Sequence, residues 1–518
     1  MNVEMNAAPS RPKAIARRPI TARVIVALAV LIAFSPVIGH DFGGWDDEQN
    51  LTRNPEMHPP TLAAVARYWK APKHDLYAPL TWTVWSALAW AGYSTNAPSP
   101  DAQLNPYLFH AANLALHVGG ALLAFELLRR LFGREALLAS TLGALLFAVH
   151  PVQVEPVAWV SGLKDVLAGA LSIAAIILFL DSTQDGKTDW RRFLCAMITF
   201  ALALLSKPSA IVVPAMVIAF DTLIRQSSMR KSLVRFAPAL ALTLAAALIA
   251  RAAQQADHLP SVEWWKRPVI AFDAVAFYLG KIIWPLNLGA HYGRTPQRVL
   301  AMSDIGVLWF LPIILAIFLI LHYKLTRDRF PALAALILLI GISPVLSLLS
   351  FDFQEYSTVA DHYLYLAMLG PAIFFAWSVA RLRCLIFPII LLAICGVLSV
   401  RQSLTWRDAL SISEQAVRVN PNSKLWSDRL NQLLFEQAAA HADRGDYKSA
   451  IATYLRLLKR DPHDARVPSD LASVYASNGQ LDQAIFWYEW ALRMDPNFEP
   501  ARIGLQHAQG ERKHPTTR

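Results

Sequence analysis

Long apolar runs separated by short polar clusters fill the first four hundred positions of the chain. The first run is Val24–Ile38, and others recur near 107–128, 135–149, 163–180, 193–206, 209–224, 236–251, 305–323, 330–349, 361–380 and 384–400. A helix of about 18–20 apolar residues crosses roughly 30 Å of hydrocarbon. The pattern therefore predicts eleven membrane-crossing helices. Two further apolar stretches, 78–92 and 268–288, break the alternation of sides and carry Trp or Tyr. Aromatic rings of that kind favour the interface, so these stretches are expected at the outer surface or half-buried. If both crossed, the count would be thirteen.

The last hundred residues change character. Charge rises, and apolar positions recur with helical spacing. Gly445 and Gly479 lie 34 positions apart, as do Ala450 and Ala484, Tyr454 and Tyr488, and Asp461-Pro462 and Asp495-Pro496. A 34-residue unit with these residues is the tetratricopeptide helix–turn–helix pattern. Glycine makes the turn, alanine lets the helices approach, and proline ends the second helix. A degenerate unit around Trp406–Pro421 sits 41 residues before its counterpart, so it needs an insertion. So short an array is expected to lean on that unit or on the membrane domain. It would serve as a scaffold or hold an extended peptide in its concave groove.

The expected fold class is thus all-α: a polytopic membrane bundle followed by a short solenoid. The domains read as a cytoplasmic N-terminal tail over 1–19, the multi-span domain over 20–402, the repeats over 403–509 and a disordered tail over 510–518.

Charge orients the bundle. Only 17% of the 518 residues are charged, with a net +10, against about 25% in soluble domains. The cations gather between spans, at Arg129/Arg130/Arg134, Lys187/Arg191/Arg192, Arg225/Arg230/Lys231/Arg235, Lys324/Arg327/Arg329 and Arg381/Arg383. The positive-inside rule places these five loops in the cytoplasm, which explains the basic balance without nucleic acid. The basic start (Arg11, Lys13, Arg17, Arg18) ahead of Val24–Ile38, with no small-x-small site after it, reads as a retained signal anchor. The N-terminus is then cytoplasmic, and an odd number of crossings puts the repeats on the outer face. A bacterial inner membrane is the simplest setting, since Thr516-Thr517-Arg518 carries no retrieval signal. Cys195, Cys384 and Cys395 all fall in apolar segments and are expected to be core residues.

Polar residues gather on the face opposite the basic loops. Asp46 and Asp47 follow the first span, and ionised carboxylates at a membrane surface are costly unless used. They are candidates for a catalytic base or for ligands of a charged group. His110, Asn113 and His117 share one helical face, which suits helix–helix hydrogen bonding as well as it suits function. The segment His150–Asp165 sets His150, Glu155, Lys164 and Asp165 in a proline-punctuated turn. Lys164 could pair with Asp165, snorkel, or neutralise a phosphate. Lys207 interrupts an apolar run, and Asp361-His362-Tyr363 opens another.

In order, the chain carries an acidic pair after the first span, Pro79-Leu80-Thr81-Trp82, and His110-x-x-Asn113-x-x-x-His117. Then come His150-Pro151-x-x-Val154-Glu155-x-Val157-Ala158-Trp159 with Lys164-Asp165, Ser206-Lys207-Pro208, Asp361-x-Tyr363-Leu364-Tyr365 and the repeats. From about residue 20 to 500 this resembles the transmembrane and tetratricopeptide-repeat O-mannosyltransferases and their bacterial relatives, within the multi-span glycosyltransferases that use lipid-linked sugars. The family usually has Arg-Lys-Asp where this chain has Leu163-Lys164-Asp165, and Asp-Arg-Tyr where it has Asp361-His362-Tyr363. Two cations of the pattern are therefore missing.

The resemblance implies an integral-membrane glycosyltransferase that moves a sugar from polyprenyl phosphate to a hydroxyl of an exported protein, with inversion. Asp46 or Asp47, with a slight preference for Asp47, would be the base. His110, His150, Glu155, Lys164, Asp165, Lys207, Asp361 and His362 would bind donor and phosphate. No cofactor and no metal are expected, since few other carboxylates cluster with the pair. The partners would be the lipid-linked sugar, the membrane and an acceptor protein bound by the repeats. Two other classes stand beside this one. A membrane scaffold presenting the repeats would be indifferent to Asp46 and Asp47. A transporter should show inverted repeats of spans, and none is visible.

Overall fold

The computed structural model describes residues 18–97, 102–184, 187–254, 262–301, 308–382 and 384–513. Arg11, Lys13, Arg17, Arg383 and the end of the tail at 514–518 lie outside them. The chain divides into two compact units, Met1–Asp408 and Ala409–Arg518. Apart from one two-residue hairpin, Thr183–Gln184 with Lys187–Thr188, the described regular structure is helical.

All eleven segments expected to cross contain helix, but in three physical classes. Four helical stretches have the length and apolarity of a span by themselves: Pro19–Gly39, Pro106–Phe132, Val160–Asp181 and Ile386–Trp406. Three more qualify only as pairs bent by 50–66°: Arg134–Val149 with Pro151–Ala158, Met229–Arg235 with Ala237–Ala253, and Asp361–Ala367 with Leu369–Val379. The rest are shorter: Trp190–Ser206, Pro208–Leu223, Phe310–Thr326 and Phe330–Val345. Among the described residues, length and composition thus support four spans, or seven with the bent pairs, rather than eleven. Proline explains part of the gap, because it removes an intrahelical donor and clashes with the preceding turn. Pro151 and Pro208 sit where apolar runs break.

The two stretches set aside as interfacial form Pro79–Gly92 and Arg267–Ile283. The first buries Trp82 and Trp85 in a core shared with Leu51, Tyr68, Phe109 and Leu163, while Trp90 stays exposed. Cys395 is buried as expected; Cys195 and Cys384 are exposed, Cys195 on the outward-facing side of the helix Trp190–Ser206 and Cys384 in the loop before Ile386–Ser403.

The basic loops meet. Arg130 pairs with Asp181 at 3.0 Å, and Arg192 donates to the Asp181 carbonyl at 3.4 Å. Arg225 donates to the carbonyls of Thr183 (2.6 Å) and Leu180 (2.5 Å), satisfying the open end of the helix Leu163–Asp181. Phe132 stacks on Phe330 at 4.8 Å, and Arg381 pairs with Asp328. All five basic clusters therefore lie at one end of the bundle. Lys164 and Asp165 begin the same helix that Asp181 ends, and so lie about 25 Å from it.

In the second unit the 34-residue spacing becomes geometry. Gly445 and Gly479 both take φ +75° at the turns, a conformation that costs glycine little. Ala450, Ala484, Tyr454 and Tyr488 are buried where helices cross. The helix Ala409–Val419 occupies the degenerate unit, and the last helix, Glu499–Lys513, extends into the segment expected to be a disordered tail. Ala501 and Ala508, seven positions apart and so on one face of that helix, are buried, which holds it against its neighbours.

Candidate active site

The turn after the first span separates its two carboxylates. Gly44 (φ +74°) and Trp45 (φ +53°) both take the left-handed conformation, unusual for a bulky residue and a mark of a backbone held by its surroundings. Asp47 then points inward and is fully buried. One of its oxygens accepts from the Ser161 N–H at 2.9 Å and the Ser161 hydroxyl at 2.6 Å, the other from the Gly43 N–H at 2.9 Å. Burial pushes its pKa up to about 6, with the Ser161 and Gly43 bonds opposing that rise. Asp46 points outward. Its side chain is 29% exposed, and it lies 3.5 Å from Nζ of Lys164.

Residues 150–162 hold the other half. This stretch makes three short helical turns and is buried throughout. Its fold depends on Gly162, where a Cβ would lie 2.4 Å from the Pro156 carbonyl oxygen. Asn113 donates to the Trp159 carbonyl at 2.8 Å, and Asn50 donates to Ser161 Oγ at 3.2 Å.

On this frame the charged groups form a chain of contacts. Lys164 lies over the Trp159 ring at 4.9 Å, a favourable cation–π distance. Trp159 is 5.7 Å from His362. His362 Nδ1 is 2.9 Å from one Glu155 oxygen, and its backbone N–H donates to the other at 3.0 Å. Lys207 pairs with Asp165 at 2.5 Å and lies over Tyr363 at 5.4 Å. The second Asp165 oxygen is buried without a partner among the described residues. Asp361 accepts from the Tyr292 hydroxyl at 2.7 Å.

The structure thus gathers Asp46, Asp47, Glu155, Lys164, Asp165, Lys207, Asp361 and His362. It does not bring in the two remaining histidines. His150 faces the Ile282 carbonyl with one ring nitrogen (3.0 Å) and accepts from the Val152 N–H with the other (3.4 Å), so it caps a turn. His110 Nε2 faces the Asp41 carbonyl at 3.2 Å. His117 lies between Tyr365 Oη and the Ala148 carbonyl. The polar stripe therefore ties helices and turns together.

Sequence reasoning missed Ser161, Tyr292 and Lys281. Lys281 donates to the Leu286 and Asn287 carbonyls at 2.8 and 3.0 Å and lies over Tyr292 at 5.1 Å. A lone cation ending an apolar run was the only available signal for it. Nothing local marks Ser161, whose part depends on a partner 114 positions away.

Two family models match the chain: the dolichyl-phosphate-mannose-protein mannosyltransferase family over residues 110–252 and the tetratricopeptide repeat over 441–506. Protein O-mannosyl-transferase F38B6.6 of Caenorhabditis elegans is 23% identical over 92% of this chain and 63% of its own length. The chain is related to the protein O-mannosyl-transferases. Protein O-mannosyl-transferase TMTC4 of Homo sapiens is 27% identical over 40% of this chain and 30% of its own, and TMTC1 of Homo sapiens is 27% identical over 34% and 20%. The chain thus spans less than two thirds of the length of these O-mannosyl-transferases. The first match includes Glu155, Lys164, Asp165 and Lys207; the acidic pair and His362 lie outside it.

Proposed function

We propose that this chain is a membrane glycosyltransferase that moves a hexose from polyprenyl phosphate to a Ser or Thr hydroxyl of an exported protein. The observation that carries the reading is the position of Asp46: a partly exposed carboxylate 3.5 Å from a lysine, next to a second lysine–carboxylate pair, at the helix ends opposite the basic loops. Asp46 takes the proton of the acceptor hydroxyl as its oxygen attacks the anomeric carbon. The C1–O bond to phosphate breaks, and its electron pair leaves on the phosphate. Lys164 and Lys207 stabilise that charge. A single displacement inverts the anomeric configuration. Asp47 is the positioning carboxylate, since both of its oxygens are already occupied.

The mechanism invokes no resident metal. We place the site on the non-cytoplasmic face, with the five basic loops and the N-terminus in the cytoplasm of a bacterial inner membrane. The shorter helices and bent pairs are then taken as crossings, eleven in all, with the repeats on the outer side as a binding surface for the acceptor. The named activity of the relatives makes mannose the first sugar to try.

The test is purified full-length protein with decaprenyl-phosphate mannose and a Ser/Thr-rich peptide. Release of decaprenyl phosphate is expected, with its loss in Asp46→Ala. Undiminished release from a folded Asp46→Ala protein would overturn the assignment and favour the scaffold.

A further inference from the structure

The Glu155–His362 pair has a geometry that neither proton abstraction nor phosphate binding uses. Both oxygens of Glu155 face His362, one at the ring Nδ1 and one at the backbone N–H. When Glu155 is ionised its oxygen makes Nδ1 the donor and leaves Nε2 with its lone pair; burial pushes the Glu155 carboxyl up to about 8, so this tautomer belongs to the ionised form. Among the described residues Nε2 takes part in no hydrogen bond, and it is not one of the sealed, unpartnered atoms. His362 lines a small, largely enclosed cavity of about 30 Å³ together with Asp165, Tyr363 and Tyr365, room for about one hydroxyl-sized group. A second proton would place a cation beside Lys164 and Lys207, while the nearby carboxylates Asp165 and Asp46 are already matched to those lysines.

The surroundings of the ring are aromatic. Tyr363, Trp159 and Phe353 stand 4.2, 5.7 and 6.2 Å from it. Of these three rings Tyr363 also lines the cavity, so a single oriented acceptor there stands beside an aromatic wall, the combination of apolar surface and few placed polar atoms that suits a sugar. The C–H faces of a sugar pack on such walls, and its hydroxyls supply the donors that Nε2 lacks.

We propose that His362, with its tautomer set by Glu155, is a specificity-determining residue that accepts a hydrogen bond from one hydroxyl of the donor sugar. Glu155 is its positioning residue. The inference rests on the glycosyltransferase reading and names the part of the donor that this corner of the site recognises. A site built to bond a hydroxyl rejects the analogue that lacks it, because a buried acceptor is left empty.

The experiment compares decaprenyl-phosphate mannose with its 2-, 3-, 4- and 6-deoxy forms on the purified full-length protein. The wild-type protein should lose at least about tenfold in kcat/KM with one of the four. His362→Ala should lose activity with the parent donor and treat that deoxy form and the parent alike within about twofold. Glu155→Gln, which keeps the imidazole but frees its tautomer, should shrink the ratio part-way. Displacement of the same donors in the absence of acceptor gives the ratio for any variant that folds without turning over, and His362→Gln replaces His362→Ala if the latter fails to fold. An unchanged ratio in the His362 variant, or a uniform loss across all donors, overturns the proposal. Absence of turnover by the wild-type protein with every donor would instead count against the glycosyltransferase reading itself.

Discussion

The two ends of the long helices treat charge in opposite ways. At the basic end the pairs are redundant and wet. Glu126 is held by Arg129 at 2.6 Å, by Arg23 at 3.2 Å and by Arg130, and the Arg23 side chain is 47% exposed. At the other end Lys164 and Lys207 each have one carboxylate, Asp46 and Asp165, and the Lys207–Asp165 pair is only 12% and 6% exposed. Exposed pairs contribute little to stability, and buried ones cost much to desolvate. The first arrangement orients and closes loops. The second has no stabilising rationale of its own, which is why chemistry is sought there.

Substitutions at the two ends should separate them, beginning with the largest effect. Asp46→Ala should lower turnover by at least about a thousandfold, in the range of loss seen when an essential base is removed, with an unchanged melting midpoint in detergent. A matched loss of stability would move Asp46 into the framework. Lys207→Met leaves Asp165 buried and uncompensated and should cost about 3–5 kcal/mol, read by denaturation in mixed micelles. Lys207→Met with Asp165→Leu should recover most of that stability and remain inactive; recovery of activity would break the contrast between the ends.

A third test is a pH series on Asp47. Burial lifts its folded pKa from 3.8 to about 6, so between those values the folded chain binds more protons than the unfolded one. The stability contributed by this group is then greatest below about pH 4 and declines as pH rises through 6, by about 3 kcal/mol at 1.36 kcal/mol per unit. Asp47→Asn should flatten that slope in melting midpoints taken from pH 4 to 7; a wild-type slope that persists in the variant would show that another group titrates. Smallest of all, Arg129→Ala should change stability by less than about 1 kcal/mol, because Arg23 and Arg130 still hold Glu126.

How much of this was legible depended on how local the cause was. The repeats were readable residue by residue, since Gly445, Ala450 and Tyr454 meet partners within one or two helices of the same unit. That the basic loops share one end was expected from their composition, and their mutual contacts agree with it. Of the eleven expected crossings, four are unbroken helices of spanning length among the described residues, because hydropathy averages across proline breaks that geometry does not ignore. At the site, the residue types were visible but their roles were not. Asp46 and Asp47 are chemically identical neighbours, and only the distant Ser161 distinguishes them. The proposed mechanism takes Asp46 as base, against the slight preference for Asp47, for that reason. His110 and His150 looked reactive from their depth and chemistry, yet backbone carbonyls at Asp41 and Ile282 occupy them. Those partners are 69 and 132 positions away, beyond any local pattern.

The grip of Asp47 on Ser161 has a mechanical corollary. Ser161 stands three positions before Lys164, so the strap that carries Asp46 and the turn that carries the lysine are riveted into a single jaw. Bending of the first membrane helix would shift both together and leave their separation unchanged. Lengthening the strap by one residue between the two aspartates would keep every side chain and rotate the outward one away from its lysine, disabling the jaw without removing a tooth.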